Sequence, residues 1–299
     1  MPDVSLLHTL RGHQNPIYTL TTVGNHTLFS GGNDKGVVEW DLQTMQFKRI
    51  LCAVSHSVYA LHRIPNTDFL AIGLRSGEVL IVNYVEQKLV TKLKTESGAV
   101  FAIQALSEKS ELIAIGEEGV AYVYDTIYFK LLYRFRVSKD TVRAIAIDPE
   151  NATVYFGDKS GAIYQYDSAQ YEFKQQVLAH KMPVTSLCVV GEQLFSGGRD
   201  AKMYQLSTAD FAVQHEITPH MFTVYGIVSN VDQTQIATAS RDKTWKIWDP
   251  KTLTLLKNIS VDRGYESHML SINSILWQDE KIFTAGDDKA IKVWGIAAG

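Results

Sequence analysis

A Trp-Asp pair at Trp40-Asp41 returns at Trp248-Asp249, and weaker copies of it recur along the chain. The leading residue of each copy falls at Trp40, Val82, Tyr124, Tyr166, Leu206, Trp248 and Trp294, in steps of 42, 42, 42, 40, 42 and 46 residues. A repeat of roughly 40–45 residues with four short strands is typical of β-propeller blades. Seven such units account for nearly all 299 residues. The spacing therefore predicts one all-β, seven-bladed propeller domain over residues 1–299.

The first repeat shows how each blade is built. Apolar stretches predict strands at Pro16–Leu20, Thr27–Gly32, Gly36–Asp41 and Phe47–Leu51, joined by hairpin-length turns. No stretch has an amphipathic period of 3.6 residues that is long enough to predict a helix. We therefore expect four-stranded antiparallel blades.

The two ends of the chain predict how the ring closes. The last repeat stops at Ala298-Gly299, directly after its third strand. Val4–Leu10 has the pattern of the fourth strands that precede histidines elsewhere, such as Lys174–Leu178 before His180. The N-terminal segment is thus expected to complete the last blade, which would remove an open sheet edge.

Charge and composition limit the classes of partner and the cellular location that we expect for this chain. The chain has 29 basic and 32 acidic side chains, a net charge of −3, and no basic runs, so we expect no nucleic-acid partner. No window approaches the ~18 apolar residues of a membrane span, and the N-terminus lacks the pattern of a secretory signal. These observations predict no membrane insertion. Cys52 and Cys188 lie in different repeats, which favours a reducing, cytoplasmic location.

The spacing of polar residues resembles that of the WD-repeat β-propeller family over essentially the whole chain. Gly12-His13 and Trp40-Asp41 bracket one repeat as the family motif does. An Asp stands six residues before the Trp position, a Ser or Thr four before that Asp, and a His 26 to 28 before the Trp position. The four matching sets are His13, Ser30, Asp34 and Trp40; His180, Ser196 and Asp200; His220, Thr238, Asp242 and Trp248; and His268, Thr284, Asp288 and Trp294.

In isolation, a His-Ser-Asp set would suggest a nucleophilic triad. Catalysis needs one such site, whereas this set recurs in four repeats, so a structural role is favoured. The resemblance implies a buried network in which Asp orients His, His meets the hydroxyl, and the hydroxyl meets the Trp indole. Repeats two to four depart from the motif, and we expect packing and backbone ladders to hold them. At the Asp and His positions they have Ser76 and Val54, Glu118 and Glu96, and Ser160 and Ser138.

A first candidate binding set lies five residues after each His position, and we call it the channel ring. The family resemblance places the His and Asp loops at one end of the ring of blades, the top. The residues just before the channel ring are all β-branched and predicted to be core, so strand alternation points the ring itself towards the channel mouth. Aromatic residues with Arg are typical of binding hot spots; the alternative is that they only plug the channel. The ring comprises Tyr18, Tyr59, Phe101, Arg143, Thr185, Tyr225 and Asn273.

A second set, which we call the collar, precedes each Asp position. Four of its seven members are basic, which favours an acidic or phosphorylated protein segment as partner; the alternative is ordinary solvated charge. The collar comprises Asn33, Arg75, Glu117, Lys159, Arg199, Arg241 and Asp287.

One loop is longer than its counterparts. From Asp249 to His268 there are 19 residues, against 13 in the two preceding repeats. The extra residues fall within Val261–Ser267, and Arg263 and Tyr265 are candidate contacts because loops on rigid scaffolds often carry recognition. Neutral length variation is the alternative.

Motifs of catalytic or metal sites are missing from the sequence. There is no Cys-x-x-Cys, His-Glu-x-x-His or phosphate-loop pattern, and the channel ring contains neither carboxylate nor His. We therefore expect no cofactor and no metal. The sequence predicts a non-catalytic scaffold that binds a peptide or protein domain at the top, within a multiprotein complex. The alternatives are a small-ligand binder or enzyme at the channel mouth, and a structural subunit that assembles through its rim.

Overall fold

The computed structural model describes residues 2–96 and 98–297. Met1, Ser97, Ala298 and Gly299, which belong to the predicted domain, lie outside the described residues. The described chain forms 28 strands, and its only helical elements are the 3-10 turns Ser107–Lys109 and Val261–Arg263. No helix in these ranges is long and apolar enough to cross a membrane.

The strands group into blades in chain order. Blade one contains β2 (Ile17–Val23), β3 (Thr27–Gly32), β4 (Gly36–Asp41) and β5 (Gln46–Ala53). Blade two contains β6 (Val58–Arg63), β7 (Phe69–Leu74), β8 (Glu78–Asn83) and β9 (Lys88–Lys94). Blade three contains β10 (Val100–Leu106), β11 (Glu111–Gly116), β12 (Val120–Asp125) and β13 (Leu131–Arg136). Blade four contains β14 (Val142–Asp148), β15 (Thr153–Asp158), β16 (Ala162–Asp167) and β17 (Phe173–Leu178).

The second half of the ring follows the same plan. Blade five contains β18 (Val184–Val190), β19 (Gln193–Gly198), β20 (Met203–Ser207) and β21 (Val213–Ile217). Blade six contains β22 (Val224–Ser229), β23 (Ile236–Ser240), β24 (Trp245–Trp248) and β25 (Leu255–Ile259). Blade seven contains β26 (Ile272–Gln278), β27 (Lys281–Gly286), β28 (Ala290–Ala297) and the N-terminal β1 (Asp3–Arg11).

The ring closes through the N-terminal strand, as the sequence predicts. All seven sheets are four-stranded and antiparallel, and the last has the order β26-β27-β28-β1. The pairing of β1 with β28 runs from Asp3 opposite Ala297 to Arg11 opposite Ala290. The observed strand is one residue longer at each end than the predicted Val4–Leu10. The predicted all-β, seven-bladed architecture is confirmed.

Apolar side chains are buried between adjacent blades rather than in one central core. Seven clusters of buried residues each join two neighbouring blades. In the cluster between blades seven and one, Leu10 of the closing strand packs with Trp40 and Phe283. Each blade is therefore stabilised by its neighbours, and closing the ring completes the last layer.

A β-bulge near the start of every innermost strand positions the channel ring. The register shifts between Ile17 and Thr19 in blade one, and the equivalent step recurs in the other six blades. The skipped residue, Tyr18 in blade one, leaves the ladder, and bulges of this kind redirect a side chain. The β-branched neighbours, such as Ile17 and Val58, are fully buried. The bulges, and not the simple strand alternation expected from the sequence, thus direct the channel-ring side chains away from the buried core.

Candidate functional site

The hydrogen-bond network in blade one joins two loops at the top. His13 lies before β2 and contacts Asp34, after β3, with 2.6 Å between Nδ1 and Oδ2. Its Nε2 lies 2.7 Å from the Ser30 hydroxyl, which also accepts a 2.7 Å bond from the Trp40 indole N–H. The same carboxylate accepts the backbone N–H of Gln14. The arrangement fixes both loops against the blade.

Blades five to seven contain the same geometry. In blade six, His220 lies 2.8 Å from Thr238 and 3.1 Å from Asp242, and the Trp248 indole donates to Thr238. Blade seven repeats the pattern, and blade five keeps it without the indole. These contacts join His268 to Thr284 and Asp288, Trp294 to Thr284, and His180 to Ser196 and Asp200.

The electrostatics favour a neutral imidazole. Burial lowers the pKa of His13, His180 and His220 below the ordinary value of 6.5, although the adjacent aspartates act in the opposite direction. Burial would raise the pKa of Asp242, but hydrogen bonds with His220 and Thr244 hold it below its usual range. We therefore assign the His proton to Nδ1, facing Asp, which leaves Nε2 to accept the hydroxyl proton.

The expectation that blade four relies on packing and ladders alone is wrong. Asp158, which is 1% exposed, accepts bonds from the hydroxyls of Ser138, Tyr164 and Ser160 at 2.6, 2.9 and 2.7 Å. It also accepts the backbone N–H groups of Ser160 and Ala162. This second type of network joins the same two loops without a histidine.

Blade three also has polar links between its loops. The Tyr122 hydroxyl donates to Glu118 at 3.0 Å and accepts the backbone N–H of Glu96 at 3.1 Å. Tyr122 and Tyr164 both stand two residues before the Trp position of their repeats. A Tyr at that position, in repeats without the His, is a signal that could have revealed these networks.

The channel ring forms a run of ring contacts on blades one to four. The Tyr18 and Tyr59 centroids are 5.5 Å apart at 62°, and Tyr59 stacks on Phe101 at 5.5 Å and 9°. The Arg143 guanidinium lies 4.3 Å from the Phe101 centroid. These residues, with Tyr225 of blade six, line a channel cavity of about 240 Å³.

The remaining ring positions are tied to the backbone. Thr185 donates to the carbonyl of Val224 at 2.6 Å. Asn273 donates to the carbonyl of Ile17 and to Asp287. The ring is thus divided between an aromatic and cationic part and two polar residues whose bonds link neighbouring blades.

The collar lies in the loops that follow the second strand of each blade. Its four basic members are exposed, and in the described part of the chain none of them has a carboxylate within ion-pair distance. Desolvation and the charge of Arg199 lower the pKa of Arg143, while the collar carboxylate of Glu117 acts in the opposite direction. The four are Arg75, Lys159, Arg199 and Arg241.

The long loop before blade seven folds back onto its blade. Its residues Val261–Arg263 form a 3-10 turn that ends at Gly264. Tyr265 is half-buried, with its ring 6.5 Å from that of Trp294, while Arg263 is exposed. Of the two candidate contacts, Arg263 is the one that projects into solvent.

Within residues 2–96 and 98–297, no group of three or more His, Cys, Asp or Glu side chains is arranged to hold a metal ion.

Comparison with known proteins supports the fold and the repeat. Residues 4–41 and 211–249 match the family model for the WD domain, G-beta repeat. Transducin beta-like protein 3 of Bos taurus is 23% identical over 99% of this chain and 41% of its own length. Actin-interacting protein 1 of Drosophila melanogaster is 21% identical over 82% of this chain and 41% of its own. This chain therefore spans only 41% of the length of these curated relatives.

The solved structures show the same fold at low identity. The crystal structure of the WD40 beta propeller domain of Doa1 superimposes with a TM-score of 0.86 and 16% identity, covering 98% of this chain and 97% of that one. Two repeats of this chain thus match the WD-repeat family model, and its ring of seven four-stranded blades has the fold of a WD40 propeller.

Proposed function

We propose that this chain is a non-catalytic scaffold that binds a segment of another protein at its top end. The observation that carries the proposal is the set of seven bulges, which turn one side chain per blade towards the channel mouth. Four of these side chains are aromatic, and Arg143 lies over one of them. Aromatic and Arg side chains held on a rigid scaffold are the usual centre of a binding surface.

An acidic or phosphorylated segment fits this end best. Arg143 and Tyr225 are exposed, so both are accessible to a partner. Arg199 lies near Arg143 and, like the other basic collar residues, has no carboxylate partner among the described residues. A carboxylate or phosphate placed between such cations would relieve their repulsion and gain charge-assisted hydrogen bonds.

The relatives support a scaffold role in general. Actin-interacting protein 1 is named for a protein partner, and we extend to this chain only the expectation that it binds protein as part of a larger assembly. The proposal places it in the cytoplasm, where Cys52 and Cys188 would remain the free thiols seen in the structure.

The experiment is affinity capture with mass spectrometry, using the wild-type chain beside Tyr59→Ala/Arg143→Ala. A matched control, Glu150→Ala/Lys251→Ala, changes two exposed side chains in turns at the opposite end. We expect a specific polypeptide to co-purify with the wild type and the control and to be lost from the top-end variant. A polypeptide retained by the top-end variant and lost from the control would overturn the proposal. A small molecule that co-purifies instead would support the channel-mouth alternative.

A further inference from the structure

The top end carries an apolar surface that the channel ring and the collar do not include. In blades six and seven, both residues directly after the network histidine are exposed and apolar. In blade five the second residue after it, Met182, is exposed and apolar, whereas blade one has Gln14 and Asn15 at these two positions. Met221 is 80% exposed and Met269 63%. We call this surface the apolar arc: Met182, Met221, Phe222, Met269 and Leu270.

The arc contains half of the methionines in the sequence. Of the six, three lie on it, whereas Met203 is buried. Exposed apolar residues are common when scattered singly, but here they fall within the two positions after the network histidine in three consecutive blades. Methionine is flexible and polarisable, and it is over-represented at surfaces that bind varied peptides.

The network holds the backbone of the arc in place. Asp200 and Asp242 accept the backbone N–H groups of Lys181 and Met221 at 3.0 Å and 2.9 Å. The His contacts therefore fix the loops while the apolar side chains face solvent. A surface fixed before binding loses less conformational entropy when a partner docks.

Charge on blades five and six is unbalanced. The carboxylates of Asp200 and Asp242 are turned inward to His180 and His220. The cations of the same loops are exposed and have no ion-pair partner among the described residues: Lys181, Arg199, Arg241 and Lys243. This half of the arc is apolar and positive.

At blade seven, the arc ends in a cleft of about 340 Å³ beneath the long loop. Val261, Tyr265 and Met269 supply apolar lining, and Arg11 and Lys292 line it as well. Its carboxylates are Asp288, which is bound to His268, and Glu266, which is exposed and 3.9 Å from Lys292. The cleft is suited to a single large apolar side chain.

We propose that the apolar arc docks an acidic segment of another protein that carries apolar anchor residues. The acidic residues face blades five and six, and one anchor enters the cleft at blade seven. This deepens the proposed function, on which it rests, and places the main contacts to one side of the channel.

The test uses a phage-displayed library of short random peptides selected on the full chain. We expect the recovered peptides to be rich in Asp and Glu together with Leu, Phe, Met or Trp. Synthetic copies should bind Met221→Gln/Met269→Gln about tenfold more weakly than the wild type, because buried anchors contribute most of the affinity. The matched control is Val231→Gln, which removes an apolar side chain that is 76% exposed at the opposite end of blade six and should leave affinity unchanged.

A second readout is independent of mutation. A bound peptide should slow the oxidation of Met182, Met221 and Met269 by hydrogen peroxide, measured residue by residue by mass spectrometry. The inference would be overturned if the selection gave basic peptides or no peptide at all. It would also be overturned if the methionine variant bound the peptides with unchanged affinity, or if a bound peptide left the methionines unprotected. Peptides whose binding is lost only in the Tyr59→Ala/Arg143→Ala variant would contradict docking on the apolar arc but support binding at the channel mouth. Peptides indifferent to both variants would contradict both proposals.

Discussion

The Ser138 hydroxyl donates a 2.6 Å hydrogen bond to the buried carboxylate of Asp158, in a blade that lacks the repeat's histidine. Gly198 of blade five occupies the repeat position that Asp158 occupies in blade four. A Cβ atom on Gly198 would lie 2.2 Å from Nδ1 of His180. In blade five a side chain at this position would therefore collide with His180. Ser138 leaves the room that Asp158 fills.

Asp158→Ala is expected to destabilise the protein about as much as Asp242→Ala, on the order of 1–3 kcal/mol each, because both changes leave buried donors unpaired. Urea denaturation followed by tryptophan fluorescence would measure both. The control is Glu150→Ala, an exposed change in the same blade. If Asp158→Ala behaves like that control, the blade-four network is not a stabilising one.

Acid should destabilise the fold through His13, His180 and His220, whose pKa values burial lowers. Since burial lowers the folded-state pKa of His220 below 6.5, the unfolded chain takes up protons first as pH falls below that value. Stability is therefore lost from about pH 6.5 downward. The carboxyl of Asp242, also lowered in pKa, adds a loss below its ordinary value of 3.8.

The check is to compare the wild type with His220→Gln at pH 7 and pH 5. The variant lacks one titrating group, so its stability deficit should shrink at the lower pH. A deficit that grows on acidification would mean that His220 is protonated in the folded state.

The closing strand should contribute strongly to stability. Leu10 is 3% exposed and packs between blades seven and one, whereas Leu7 is 43% exposed. We expect Leu10→Ala to lower the free energy of unfolding by about 2–5 kcal/mol and Leu7→Ala to have a much smaller effect. Deleting residues 2–10 should lower the melting temperature and cause aggregation through the open edge of β28. A deletion variant that melts with the full chain would contradict the closure.

The sequence predicts the fold well because the repeat period, the Trp positions and the His spacing are all local signals. The sequence predicts less well which side-chain contacts stabilise the repeats that depart from the motif. Asp158 lies two residues before the expected Asp position, and its role depends on space left by Ser138, a relation visible only in three dimensions. The apolar arc was missed for a similar reason, since Met182, Met221 and Met269 form one surface only when the blades are arranged in a ring.

Arg199→Glu should chiefly slow association with an acidic partner. An exposed collar charge steers the approach of a ligand more than it holds the bound complex. Stopped-flow or surface-plasmon measurements at two salt concentrations should show a lower association rate and a weaker salt dependence, with a nearly unchanged dissociation rate. A change confined to the dissociation rate would show that Arg199 holds the bound complex rather than steering its formation.

The most direct test of the account is calorimetric titration of the captured partner into four purified chains: wild type, Tyr59→Ala/Arg143→Ala, Met221→Gln/Met269→Gln, and the opposite-end control Glu150→Ala/Lys251→Ala. Binding at the top end predicts that at least one of the two top-end variants loses about 2 kcal/mol or more of binding free energy, while the control matches the wild type. Full affinity in both top-end variants, with a loss in the control, would show that the partner binds elsewhere.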